Sequence, residues 1–356
     1  MFVLDSHCDT PSQILRLRDL SKDNDHSHVD FPKLKKGGVD GVFFALYVPS
    51  GLDSDSESAF RYACSLHDAV IDTLNAHPDK AKLTLSASEA YENKDNGLIS
   101  IFLGLENASP LGHSLERVSV FHEMGIRYMT LCHSGNNEIC DSCAPDVKRW
   151  NGLSPFGKEV VAEMNSHGIL VDVSHLSDDS FYDVLECSSR PVVATHSCCR
   201  ALSDHPRNMS DEMISALAVS GGVIQINFYP MFLDTSFSRE LKESGIMERG
   251  ESVERDFIAH PDNMDARIAW NMIQDELMAL NRPSFTKIAD HIDHVVELVG
   301  IDHVGIGSDF DGIEVTPSGL EDISMLPVLW EELGRRGYSA SDLRKIAGGN
   351  FFRILG

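Results

Sequence analysis

His7 and Asp9 flank Cys8 directly after the apolar run Met1 to Leu4. On a β-strand, residues i and i+2 point the same way, so an imidazole and a carboxylate would face one spot and could hold a cation. One such pair alone is better explained by a strand end that happens to carry polar residues. The pattern repeats, however. Short β-rich runs keep ending in a ligand-type residue: Ile101 to Leu105 before Glu106, Tyr128 to Leu131 before His133, Ile169 to Val173 before His175, Val192 to Thr195 before His196, and Val304 to Gly307 before Asp309. His7, Asp9, His175 and His196 are a donor set suited to zinc, and Glu106 offers two oxygens that could bridge two metals. Five protein ligands are too many for one catalytic zinc, which must keep an open position. Two zinc ions sharing Glu106, roughly 3.5 to 4 Å apart, fit the count better and would hold a bridging water whose pKa falls to about 7, the nucleophile of a hydrolase.

Convergence of those strand ends requires a particular fold. Eight candidate strands are legible: Phe2 to Asp5, Gly41 to Tyr47, Ile99 to Leu105, Tyr128 to Leu131, Ile169 to Val173, Val192 to Thr195, Val223 to Asn227 and Val304 to Ser308. Helical periodicity fills most gaps, over Ser58 to Asn75, Ser114 to Met124, Ser154 to Ser166, Ser177 to Cys187 and Ser210 to Ser220, each opening on a Ser that can cap. Gly125 and Gly168 stand as stops behind two of them. Strands alternating with helices argue for a parallel sheet, and eight such units for a closed (β/α)8 TIM barrel whose active site lies at the carboxyl ends of the strands. The expectation is one domain over residues 1–356, with an insertion at about 229–290 between the seventh and eighth strands. That insertion is charged, carries a helical stretch from Ala266 to Leu280, and would sit on the active-site face. Ser339 to Ile346 and Asn350 to Leu355 read as closing helices.

Composition sets the outer limits. Of 356 residues, 42% are hydrophobic and 24% charged, enough apolar material for a large core. A net charge of -25, from 55 acidic and 30 basic residues, repels phosphate backbones and anionic lipid surfaces, so neither nucleic acid nor a membrane is expected as a partner. No apolar stretch approaches the roughly 18 residues needed to span a bilayer. With Met1 as the natural start the protein is expected in the cytoplasm; a signal peptide already removed is the alternative. The eight cysteines are scattered and do not resemble a disulfide framework, which favours a reducing compartment. Cys140 and Cys143 have redox spacing but lie in a polar loop, where ordinary loop cysteines are the default.

The chain resembles the membrane dipeptidase (renal dipeptidase) family of binuclear zinc peptidases, within the amidohydrolase-like barrels. The likeness is carried along nearly its whole length by Asp5-Ser6-His7-Cys8-Asp9-Thr10-Pro11, Gly104-Leu105-Glu106-Asn107, Arg127 through His133, Val171-Asp172-Val173-Ser174-His175, Thr195-His196-Ser197 with Pro206-Arg207-Asn208, Gly307 through Gly312, and Gly349 through Arg353. By that resemblance His7 and Asp9 hold one zinc, His175 and His196 the other, and Glu106 bridges them. The resemblance further implies that His133 helps to stabilise the oxyanion and that Asp309 passes a proton from the water to the leaving amine. Arg207 would grip the free carboxylate of a dipeptide, and Tyr229 with the segment after it would wall the side-chain pocket. Dipeptides of the type L-Xaa-L/D-Xaa are the implied substrates, and a homodimer the implied assembly.

Cys8, Asn107-Ala108-Ser109 and Gly135-Asn136-Asn137-Glu138 depart from common family members without removing a ligand. Both loops border the expected site, so substrate preference is where they would act. His26 and His28 read as solvated loop residues, and His291 and His294 as packing or capping groups on a helix away from the catalytic face. His205 could line the pocket. Asp311 is the residue most easily mistaken for Asp309. Two other readings compete: a binuclear amidohydrolase acting on another small amide or a β-lactam, and a barrel that binds without catalysing.

Overall fold

Nine parallel strands alternate with helices in the computed structural model, which describes residues 1–356. They are β1 (Leu4–Cys8), β2 (Gly41–Tyr47), β3 (Ala81–Leu83), β4 (Ile99–Glu106), β5 (Ile126–Thr130), β6 (Leu170–Asp172), β7 (Val193–Ser197), β8 (Val223–Ile226) and β9 (Val304–Ile306). Eight follow one another in the order β1-β2-β4-β5-β6-β7-β8-β9, and β3 pairs with β4 off that path. The ring comes round to its start just past the ends of β9 and β1. There Asp309 N donates to His7 O at 3.0 Å and Asp9 N to Phe310 O at 2.9 Å. This is a nearly closed (β/α)8 barrel, as the alternation of runs predicts. β3 was not anticipated: three residues with a central exposed lysine leave too short a signal to read.

Alternation along β2 shows how the walls are filled. Phe43 points inward, stacking on Phe102 at 4.8 Å and meeting Tyr128 at 5.1 Å and Phe351 at 4.9 Å. Val42 and Phe44 point outward into the larger core shared with the helices. The last helix, Asn350–Leu355, closes the amino end of the barrel with Phe351 and Phe352. Gly104 makes room for the Tyr128 ring, since a Cβ there would lie 2.2 Å from it.

Ser154, Ser177 and Ser210 cap the helices Pro155–His167, Asp178–Cys187 and Asp211–Val219, each accepting from the backbone N–H three residues on. Two expected starts differ. The helix Ser56–Ala76 is capped by Asp55, which accepts from Ser58 N at 3.1 Å, and Ser114 stays outside the helix Glu116–Glu123. Between β8 and β9 the chain forms the helices Pro230–Leu233, Thr235–Ser244, Ile246–Ala259, Met264–Met278 and Thr286–Val299. The middle three bury Phe237, Leu241, Phe257, Trp270 and Ile273 among themselves and against Val315, which follows β9. No helix is long and apolar enough to cross a membrane.

Candidate metal centre and cleft

At the carboxyl ends of the strands, His7, Asp9, Glu106, His133, His175, His196, Arg207, Tyr229 and Asp309 are brought together around one cleft of about 480 Å³. Strand alternation alone does not pair His7 with Asp9. β1 ends at Cys8 after an irregularity in its register, and Asp9 already stands at the amino end of the helix Thr10–Leu15. His7 and Asp9 meet nonetheless, with Nε2 and Oδ2 3.6 Å apart. Cys8 turns away, and its thiol lies 3.5 Å from Phe43 O.

Glu106 stands in the middle with its two oxygens turned to different partners. Oε2 lies 3.5 Å from His7 Nε2. Oε1 lies 3.1 Å from His175 Nε2 and 3.3 Å from His196 Nε2, and those two nitrogens are 2.9 Å from each other. Burial works against the Glu106 carboxylate, yet the three imidazoles hold it well below its ordinary pKa. Burial drives His175 and His196 well below theirs, so both are neutral at pH 7, as metal ligands must be. His7 Nε2 and Asp9 Oδ1 are buried with no hydrogen-bond partner. Unpaired buried groups of this kind are rare unless something binds them, so the donor set fits a metal centre.

The imidazoles are oriented from behind. His7 Nδ1 meets the Tyr128 hydroxyl at 2.8 Å. His196 Nδ1 meets Thr195 Oγ1 at 2.7 Å, and that hydroxyl donates to Asp172 Oδ2 at 2.7 Å. Thr195 is thereby left to accept from Nδ1–H, which presents the Nε2 lone pair to the cleft. Asn107, His175, Asp309 and Asp311 have positive φ of 69°, 70°, 64° and 66°. Such backbone is uncommon outside glycine and clusters at working sites.

Around this centre, Asp309 accepts from Asn227 Nδ2 through Oδ2 at 2.8 Å and keeps Oδ1 4.0 Å from His7 Nε2. Burial raises its pKa above the usual carboxylate range. Asp311 is fixed elsewhere, by Arg18 at 2.6 Å and Thr10 at 2.8 Å. His133 packs its ring 4.2 Å from that of His175, and burial lowers its pKa. Arg207 is a buried cation without a carboxylate: Nη1 donates to Ser197 Oγ at 3.1 Å, Nη2 to His196 O at 3.0 Å, and Nε has no partner. Its guanidinium lies over the Phe232 ring at 5.6 Å. Tyr229 and His205 line the same cleft.

The outlying histidines divide. His291 is buried, accepting from Cys199 N at 3.0 Å, and His294 meets Asp211 at 2.8 Å, both as packing groups. His26 is exposed, but His28 is not the solvated residue expected: its Nδ1 accepts from Asp311 N at 2.9 Å, because its loop folds over the end of β9.

The family model described as membrane dipeptidase (peptidase family M19) matches residues 1–356. The chain belongs to the membrane dipeptidase family. A dipeptidase of Aspergillus oryzae, aclJ, is 33% identical over 351 residues, covering 97% of this chain and 73% of its own length. An uncharacterised dipeptidase of Schizosaccharomyces pombe is 30% identical, covering 99% and 80%. Among solved structures, the probable dipeptidase PvdM of Pseudomonas aeruginosa superposes with a TM-score of 0.84 at 25% identity, covering 100% of this chain and 95% of that one. A metallopeptidase from Rhodobacter sphaeroides, liganded with a phosphinate mimic of the dipeptide L-Ala-D-Ala, gives 0.81 at 26%, covering 100% and 98%. This membrane dipeptidase family member is thus a metallopeptidase of the dipeptidase class.

Four residues bordering the cluster were not singled out from the sequence: Tyr128, Thr195 and Asn227, which hydrogen-bond to His7, His196 and Asp309, and Gly312. A Cβ on Gly312 would lie 2.0 Å from Asp9 Oδ2, so only glycine leaves that carboxylate in place. Only Gly312 carried a usable signal, as the glycine that closes the run Ser308-Asp309-Phe310-Asp311-Gly312, three residues after Asp309.

Proposed function

We propose that the protein is a zinc-dependent dipeptidase that hydrolyses the amide bond of L-Xaa-L/D-Xaa dipeptides. The observation that carries this reading is Glu106, whose two oxygens face two separate ligand sets. His7 and Asp9 would hold one zinc, His175 and His196 the second, and Glu106 would bridge them. When bound, the ions supply Lewis acidity and lower the pKa of water to about 7.

The remaining work falls to the side chains. Arg207, buried and lacking an acidic partner, receives the substrate carboxylate, which sets the scissile amide of a two-residue peptide over Glu106. Asn227 holds one oxygen of Asp309, and the other takes a proton from the attacking water and later delivers it to the leaving amine. Its raised pKa suits a group that must both accept and release a proton. His133 faces the cleft with Nδ1 3.2 Å from the Ser134 hydroxyl, and in the tautomer in which Nδ1 accepts from that hydroxyl its Nε2–H is offered to the developing oxyanion. Tyr229 walls the side-chain pocket. The whole of residues 1–356 is read as one domain, and the presence of Phe232 and Glu254 in the cleft supports an insertion at 229–290 that shapes the pocket.

A panel of L,L and L,D dipeptides assayed with metal analysis tests the proposal. Hydrolysis should vanish on chelation and return with zinc. Hydrolysis that survives complete removal of metal would overturn it.

A further inference from the structure

The cleft extends past the ligand cluster. Arg207 belongs to the loop after β7, whereas the far end is built by Gln13 and Arg16 after β1, by Gly312 to Glu314 after β9, and by Glu254 on the insertion helix Ile246–Ala259. A smaller adjoining cavity is lined by Arg16, Glu254, Glu314, Trp270 and Gln274 and includes neither Arg207 nor any candidate metal ligand. With the substrate carboxylate on Arg207 and the amide over Glu106, this end meets the amino-terminal residue.

Its chemistry is unusual for a structural pocket. Arg16, Glu254 and Glu314 are half-buried, and none has an ion-pair partner within 4 Å. Arg16 lies in the field of Glu254. Glu314 instead faces Glu254, the Tyr229 phenol and Asp309, without a cation. Burial, with the like charges of Glu254 and Asp309, pushes its carboxyl up to about 7, against a hydrogen bond from the Tyr229 phenol that lowers it. Asp311 adds nothing to the imbalance, because Arg18 neutralises it at 2.6 Å. A cation entering the pocket would draw Glu314 into its ionised form, setting two carboxylates against the one guanidinium of Arg16. Tyr229 and Ile313 supply apolar flanks for an aliphatic stem.

We infer that Glu314, backed by Glu254, forms a cation-binding subsite that selects dipeptides whose amino-terminal residue carries a positively charged side chain. The inference rests on the proposed dipeptidase reading, in which Arg207 fixes the carboxyl end. Glu314 determines specificity and takes no part in bond cleavage.

The test compares kcat/KM for Lys-Ala, norleucyl-Ala and Glu-Ala in the zinc-loaded wild type, Glu314→Gln and Arg16→Met. A charge-assisted contact should favour Lys-Ala over norleucyl-Ala by about tenfold or more in the wild type, and the ratio should fall toward one in Glu314→Gln. Equal losses for both substrates would place the α-ammonium at Glu314 and overturn the side-chain assignment. A preference for Glu-Ala that disappears in Arg16→Met would overturn it in favour of an anion site. Calorimetry with L-lysinamide and L-norleucinamide reads the same subsite with no bond broken. Tighter binding of lysinamide that is lost in Glu314→Gln supports the subsite even if no dipeptide is cleaved, an outcome that would instead defeat the dipeptidase reading. Equal affinities in the wild type overturn the subsite.

Discussion

Asp309 and Arg207 carry the sharpest consequences at the scale of the residue, because each is held in place by the protein yet keeps atoms free for a ligand. Asp309→Asn preserves the hydrogen-bonding shape beside Asn227 but cannot take a proton. It should leave the metal content unchanged while kcat falls by about 10²- to 10⁴-fold, read from steady-state kinetics with metal analysis of the same sample. An unchanged kcat would reject the proton-transfer role. Arg207→Ala should lower kcat/KM for dipeptides by about tenfold to a hundredfold through KM, while an amide substrate without a carboxylate is spared. Equal losses on both substrates would mean that Arg207 only supports His196, whose carbonyl it meets at 3.0 Å. The ligand-type residues were legible because each ends an apolar run, so its side chain emerges where a barrel opens. Arg207 was recognisable only by resemblance. A loop arginine reads as a surface charge until its burial is seen.

Strands and turns decide how accurately those groups are aimed. Thr195 on β7 links His196 Nδ1 to Asp172 on β6, so Thr195→Val should weaken metal affinity by about 10- to 100-fold with the fold intact, measured by competition with a chromophoric chelator. Undiminished affinity would show that packing alone orients His196. Gly312→Ala should also weaken metal binding, since its methyl would displace the Asp9 carboxylate. Most barrel strands could be read from the sequence to within two or three residues, their apolar runs being continuous. Supporting groups such as Tyr128 and Thr195 could not. They are ordinary strand residues by type, and only the assembled ring shows that they stand behind a histidine. The insertion was visible as a charged interruption, but of its helices only the stretch near Met264–Met278 was resolved, because in Thr235–Ser244 and Ile246–Ala259 charges dilute the apolar periodicity.

Over the whole molecule, one centre joins β1, β4, β6 and β7, with Asp309 arriving from beyond β9. Metal binding should therefore act on global stability as well as on activity. A cation that binds only the folded chain adds about 2.7 kcal/mol at a hundredfold excess over its Kd, so chelation should lower Tm by several degrees and zinc should restore it. The interior responds differently: Phe43→Ala should cost about 3 to 5 kcal/mol in chemical denaturation whether or not metal is present, because Phe43 packs among Phe102, Tyr128 and Phe351 well below the site. If two zinc ions share the Glu106 carboxylate as proposed, anomalous diffraction at the zinc edge from zinc-loaded crystals will locate both. Two peaks should straddle Glu106, one beside His7 and Asp9 and the other beside His175 and His196. A single peak, or peaks away from Glu106, would contradict the proposal.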